Sequence, residues 1–129
     1  MTEEHPNVAI LKKFDPRDPA GTVDVFAEDA VFHYFNPHLP ELHGDHIGRA
    51  GIRAFFERLA AQTKGTFRVE PVSVTPVGDE LLVVQTKNTL VLADRRIEVD
   101  VVVVWRMADG HIAEVWDIPS VRSAKTSPA

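Results

Sequence analysis

The stretch Val101-Val102-Val103-Val104-Trp105-Arg106-Met107-Ala108-Asp109-Gly110-His111-Ile112-Ala113-Glu114-Val115-Trp116-Asp117 decides the fold. It opens on five apolar residues, breaks at Asp109-Gly110 and resumes with Ile112, Val115 and Trp116. Asp-Gly between two β-favouring runs is a strong hairpin signal, because both residues tolerate the left-handed backbone that a tight turn needs. Moving outward, Gly78-Asp79 and Ala93-Asp94 punctuate the chain in the same way. They separate Thr66 to Val77, Leu81 to Leu92 and Arg95 to Met107, and His111 to Ile118 closes the series. Four long strands joined by tight turns predict an antiparallel meander. The run from Val101 to Trp105 is apolar on both parities, so both faces of that strand must be covered. Helices can cover one face; a homodimer formed through the outer face of the sheet explains the other most economically.

Upstream the periodicity changes from two to 3.6. From Ala50, the residues Ile52, Phe55, Phe56, Leu59 and Ala60 form the stripe of a helix lying on a core, and Lys64-Gly65 ends it. A shorter helix is predicted between Asn7 and Phe14, stopped by Asp15-Pro16. Asp18-Pro19 signals a second helix running to about Glu28, since aspartate caps free amides and proline fits the first helical position. Ala30 to Phe35 reads as a strand, followed after Asn36-Pro37 by a long loop to Gly48. The tail from Ser123 to Ala129 is polar and is expected to be disordered. The whole is an α+β arrangement in one domain, residues 1–122, with three N-terminal helices packed on a mostly antiparallel sheet.

Composition narrows the function classes. A chain of 129 residues buries enough surface for one core without staples. The absence of cysteine excludes disulfides, thiolate metal sites and a cysteine nucleophile. No apolar run approaches the ~20 residues of a membrane span, and the N-terminal residues are acidic and polar, so a cytoplasmic address is expected. A net charge of -5 with scattered Lys and Arg argues against a nucleic-acid partner. No Gly-rich phosphate cradle and no nucleophile elbow occurs, which removes nucleotide cofactors and serine catalysis. The loop histidines His38, His43 and His46, with Glu41 and Asp45, match no metal-ligand spacing, and no metal is expected.

Three short motifs, Phe26-Ala27-Glu28-Asp29-Ala30, Gly48-Arg49-Ala50-Gly51-Ile52 and Asp109-Gly110-His111-Ile112-Ala113-Glu114, with the element order above, resemble the nuclear-transport-factor-two-like superfamily. Within it the chain is most similar to SnoaL-like and ketosteroid-isomerase-like proteins, over nearly its whole length. That resemblance implies a cone-shaped fold whose curved sheet and helices enclose a pocket. Tyr34, Asn36 and Asp117 resemble the residues that hold the attacking water in limonene-epoxide-hydrolase-like members, and Asp117 matches the acid-base aspartate of SnoaL-like cyclases. Asn88 and Leu90 stand where the hydrolases carry an arginine and a carboxylate, and Val103 stands where the cyclases carry a histidine. Neither constellation is complete.

Strand parity adds its own reading. Phe32, Tyr34 and Asn36 share a face, as do Thr86, Asn88 and Leu90, and Val115 and Asp117. If these faces meet, a carboxylate, an amide and a phenol converge in an apolar wall made by Phe32, Phe55, Leu90, Val103, Trp105 and Val115, with Asn88 beside them. Such a wall suits a small apolar molecule. A carboxylate there is poised as acid or base near neutral pH, because burial penalises its charged form. Two readings of Asp117 stand at this point: an acid-base catalyst assisted by Tyr34 and Asn36, or a strand-end cap of the turn before Pro119. The corresponding functions are a cofactor-independent isomerase, cyclase or hydrolase, and a non-catalytic ligand-binding or dimerisation module.

Overall fold

The computed structural model describes residues 4–129. Helix α1 spans Pro6–Leu11 and α2 spans Pro19–Thr22, continued by a 3-10 turn, Val23–Val25. Strand β1 (Phe26–Tyr34) and the short β2 (Gly44–Ile47) precede the long helix α3 (Gly48–Gln62). Strands β3 (Arg68–Val77), β4 (Leu81–Leu92), β5 (Arg95–Ala108) and β6 (His111–Pro119) follow, then a 3-10 turn, Val121–Ser123, and β7 (Lys125–Pro128). The sheet runs β2-β1-β6-β5-β4-β3, with β7 on β5. Only β1 and β6 pair in parallel; every other pairing is antiparallel. Register shifts in three ladders, between Phe26 and Val31, Pro71 and Ser73, and Arg106 and Met107, bend the strands into the curved sheet of the cone.

The meander follows its turn chemistry. Asp109 and Gly110 both have positive φ, as do Ala93 and Asp94, which is the geometry of a two-residue hairpin. Helix α3 buries Ile52, Phe55, Phe56 and Leu59, the stripe read from the sequence. At its end the Gly65 amide donates to the Ala60 carbonyl at 2.9 Å, with Lys64 and Gly65 in the left-handed region. The buried Thr63 hydroxyl donates to the Leu59 carbonyl at 2.8 Å. Phe55 packs against Phe32 and Tyr34 at 4.9 Å, and against Phe56 at 4.8 Å.

Three expectations change. The second helix stops at Thr22 and its 3-10 extension at Val25, rather than at Glu28, because Phe26 is fully buried and paired in the sheet with Ile112. Strand β1 therefore begins four residues before Ala30. The loop from Asn36 to Gly48 contains β2, whose Gly44 to Ile47 lie against Tyr34 to Val31. The tail is not structureless: Lys125 to Pro128 pair with Glu98 to Arg95. The ladder with β6 ends at Val101, so this part of β5 offers free backbone groups on that edge. A polar strand exposed on both faces satisfies them without any core contribution.

An ion cluster on the outer face ties β2 down. His33 Nδ1 lies 2.6 Å from Asp45 of β2, and Nε2 lies 2.7 Å from Glu114 of β6. Arg106 donates to the same Glu114 at 2.9 Å and sits 5.0 Å over Trp116, on which His33 also stacks at 5.5 Å. A neutral imidazole can donate from one nitrogen only, so two carboxylate partners call for the imidazolium. Burial opposes that charge, but the hydrogen bonds and charges of Glu114 and Asp45 outweigh it and raise the His33 pKa above 6.5. A raised histidine pKa contributes stability that is fully present below about 6.5 and is lost as pH rises through the folded value. Because the cluster lies near the surface, where solvent screens it, the His33→Gln variant should lose at most about 1 kcal/mol at pH 6 and less at pH 8.5. Urea unfolding at the two pH values checks this; an equal loss at both would mean that His33 contributes by packing alone.

Candidate functional site

Side chains on the concave side of the sheet form rows across the strands. One row is Phe32, Val115, Trp105 and Leu82; the next is Tyr34, Asp117, Val103 and Val84; then come Pro119, Val101 and Thr86, followed by Val99 and Asn88, and by Ile97 and Leu90. The side chains of α3 fill the space over the first row. Phe32 and Val115 are buried in the common core, and Phe32 lies against Phe55 and Phe56. From the second row onward the sheet and helix separate, leaving a cavity of about 160 Å³. Tyr34, Asn36, Asn88 and Asp117 are its polar wall with His38, and Phe55, Phe56, Leu59, Phe67 and Leu90 are among its apolar walls.

The structure thus brings Tyr34, Asn36, Asp117, Phe55, Asn88 and Leu90 to one cavity. It places four other residues elsewhere. Phe32, Val103 and Val115 have the parity expected of them but are buried in the core, Phe32 under Phe55 and Phe56 of α3. Trp105 packs against that core and not along the cavity; its indole Nε1 is buried without a partner among the described residues. Conversely, Val99, Val101 and Ile97 line the cavity with the same parity as Val103, so their strand position was readable and only their depth was not. Val121 and Ala124, from the segment after β6, also line the cavity.

The second row holds two titratable groups of the cavity wall, Tyr34 and Asp117. Parallel pairing sets Tyr34 directly beside Asp117, and the Phe35 amide donates to the Asp117 carbonyl at 3.0 Å. The Asp117 carboxylate has no hydrogen-bond partner among the described residues. It is half-buried in the cavity wall, and the solvent lost around it pushes its pKa from 3.8 up to about 7. Asp117 is therefore not holding the backbone amides of the following turn. Tyr34 is also buried: loss of solvent and the charge of Asp117 outweigh a hydrogen bond from Asn36, so its phenol is pushed up to about 12 and stays protonated. Asn36 Nδ2 donates to the Tyr34 oxygen at 3.1 Å, while Asn36 Oδ1 accepts from the His38 amide at 3.1 Å. With its oxygen already accepting, the phenol has its own proton available for a third group. Asn36 orients Tyr34, and its own polar atoms are engaged.

Solved structures with this architecture are numerous. Bal32a, from a soil-derived mobile gene cassette, is 22% identical, with 89% of each chain covered and a TM-score of 0.78. TerC, co-crystallised with polyporic acid, is 23% identical over 92% of this chain and 94% of its own, with a TM-score of 0.77. An NTF2-like protein of unknown function from Burkholderia pseudomallei is 21% identical over 92% and 94%, with a TM-score of 0.81. At these identities the likeness concerns the fold. No curated protein matches the chain. Residues 9–115, most of the chain, match the SnoaL-like domain, and the protein belongs to that family of the NTF2-like superfamily.

Proposed function

We propose that this protein binds a small, mainly apolar carbonyl compound in the cavity and moves one proton on it without a cofactor. The observation that carries the proposal is the unpartnered carboxylate of Asp117, beside a protonated and oriented phenol, in an apolar wall. In the ionised state Asp117 takes a proton from the carbon next to the carbonyl. The C–H electron pair becomes part of an enolate, whose oxygen receives a hydrogen bond from Tyr34. Return of that proton from Asp117 to another carbon completes an isomerisation; if instead the enolate carbon attacks a second carbonyl of the same molecule, its C=O π bond opens to an alkoxide that takes the proton back from Asp117, and the product is a cyclised aldol. Epoxide opening fits less well, because Asn88 and Leu90 supply neither a second carboxylate nor an arginine.

The cavity volume also limits the ligand. About 160 Å³ is close to the ~150 Å³ that holds one benzene-sized ring. A monocyclic or fused bicyclic compound suits it better than a four-ring skeleton, most of which would remain outside. Fold neighbours crystallised with polyporic acid, or designed to bind 17-OHP, support the use of this fold as a small-molecule container. The alternative of a non-catalytic ligand-binding module draws on the aliphatic Leu90 and Val103. The chain has no helix long and apolar enough to cross a membrane among the described residues. The proposal places it in the cytoplasm.

A homodimer through the outer face of the sheet is part of the same reading. Phe35, Ile118 and Val102 follow one another across β1, β6 and β5 and are 45%, 47% and 41% exposed. Val104 and Trp116 extend the patch in the next row. An apolar stripe of this kind in the middle of a sheet face is a surface that association would bury.

Three outcomes are expected. The bicyclic ketone 2-tetralone in deuterium oxide should exchange its α-hydrogens faster with the protein than without it. The Asp117→Asn variant should slow this about 10²- to 10⁴-fold, with the wild-type rate rising as pH increases through about 7. Unchanged exchange in the variant would favour the binding module. Stability provides a second measurement: a carboxyl pKa raised from 3.8 to about 7 gives stability that is present below about 3.8 and lost as pH rises through about 7. Asp117→Asn should thus be more stable than wild type at pH 8, on the order of 2 kcal/mol after allowing for the edge that meets the cavity, and equal to it near pH 3.5. Finally, Val102→Lys with Ile118→Lys should sediment as a monomer where wild type sediments as a dimer; a monomeric wild type would remove the dimer.

A further inference from the structure

Asn88 is a second polar pole of the cavity, separate from the Tyr34 and Asp117 pair. It is buried on β4, and its Oδ1 accepts a hydrogen bond from the buried Thr86 hydroxyl at 2.9 Å. That bond fixes the amide with its Nδ2 directed away from Thr86, and the NH₂ group has no acceptor among the described residues. The side chain lines the cavity, so this donor is presented to whatever occupies it. Register locates it relative to the carboxylate: Asp117 is opposite Val103, whereas Asn88 is opposite Val99 on the other side of β5. The two side chains are thus on different walls, four residues apart along β5, or about 13 Å of strand before curvature. Between them the wall is apolar, formed by Val99, Val101 and Pro119.

We propose that the cavity selects a ligand polar at both ends: a carbonyl at the Tyr34 and Asp117 pole, and a second hydrogen-bond acceptor, such as an ether, hydroxyl or carbonyl oxygen, placed to receive the Asn88 amide. Asn88 is the specificity-determining residue and Thr86 is the residue that positions it. This rests on the proposed carbonyl ligand and adds a requirement at its far end. A buried donor left without an acceptor is costly, so a ligand lacking the second oxygen should be discriminated against.

The test compares 2-tetralone with 6-methoxy-2-tetralone, whose added oxygen lies across the bicycle from the ketone and can only accept. Dissociation constants are measured by calorimetry for wild type, Asn88→Leu and Thr86→Val, with circular dichroism as a check on folding. Wild type should bind the methoxy compound about tenfold more tightly than the parent ketone. Asn88→Leu should lose this preference, with 2-tetralone, which no longer leaves a donor unpaired, binding at least as tightly as to wild type, and Thr86→Val should reduce the preference without changing the cavity volume. Equal binding of both ketones by wild type, or a preference that survives Asn88→Leu, would overturn the role of Asn88 and leave the Asp117 reading intact. Binding of neither ketone would overturn both. If Asn88→Leu does not fold, Thr86→Val decides the matter by the same ratio.

Discussion

The parallel pairing of β1 with β6 is the constraint on which the rest of the structure depends. Every other ladder in the sheet is antiparallel, and most of them join neighbours that a short turn could bring together; this one joins residues 26–34 to residues 112–117. It closes the N-terminal half of the chain against the C-terminal meander, and its register sets what lies on either side. On the concave face it places Tyr34 beside Asp117. On the convex face, one residue earlier, it places His33 beside Trp116 and within reach of Glu114. A slip of one residue would exchange the two faces, sending the carboxylate to solvent and the imidazole into the cavity. The outer cluster resists that slip, since His33 has partners on β2 and β6 at once and Arg106 on β5 shares Glu114.

Helix α3 then determines where the cavity can be. Its phenylalanines pack into the narrow end of the cone over Phe32 and Val115, where ring contacts near 5 Å leave no space. Beyond Tyr34 the helix no longer fills the concavity, and the wall passes to β4, β5 and the segment around Val121 and Ala124. Packing and cavity are therefore parts of one surface: the first row is core, and the second is divided between core at Val103 and cavity wall at Tyr34 and Asp117. Phe55 belongs to both, in contact with Tyr34 on one side and the buried Phe32 on the other.

This division explains what could be read from the chain. Strands β3 to β6 were legible because Asp109-Gly110 and Ala93-Asp94 carry their turn geometry locally, and α3 because its stripe has a period that only a helix satisfies. Strand β2 was not, since Gly44-Asp45-His46-Ile47 has no strand-like pattern of its own and becomes a strand by pairing with β1. The tail is similar: Lys125 to Pro128 contributes backbone to an edge of β5 and buries no side chain. At the site, parity identified the correct face for Tyr34, Asn88 and Asp117, but parity has no information about depth. Val103 and Val99 are alike in sequence and both are buried, yet only Val99 lines the cavity. The family resemblance pointed to Asp117, and period two supplied its face; the hydrogen bonds from Asn36 to Tyr34 and from Thr86 to Asn88 depend on distances no pattern encodes.

An unpartnered carboxylate in an apolar wall is a cost that the fold does not require. Residue 117 could pack as an asparagine at nearly the same volume, and the protein would avoid burying a charge. The neighbouring polar groups show that such groups can be satisfied here: Asn36 has both ends engaged, and Thr86 holds Asn88. Three groups are exceptions: Trp105 Nε1, buried against the core without a partner among the described residues, and Asp117 and the Asn88 amide, which both face the same cavity. The indole nitrogen meets only packing, whereas the other two share one ligand-sized space with a protonated phenol beside the carboxylate, the arrangement expected of a site completed by its ligand.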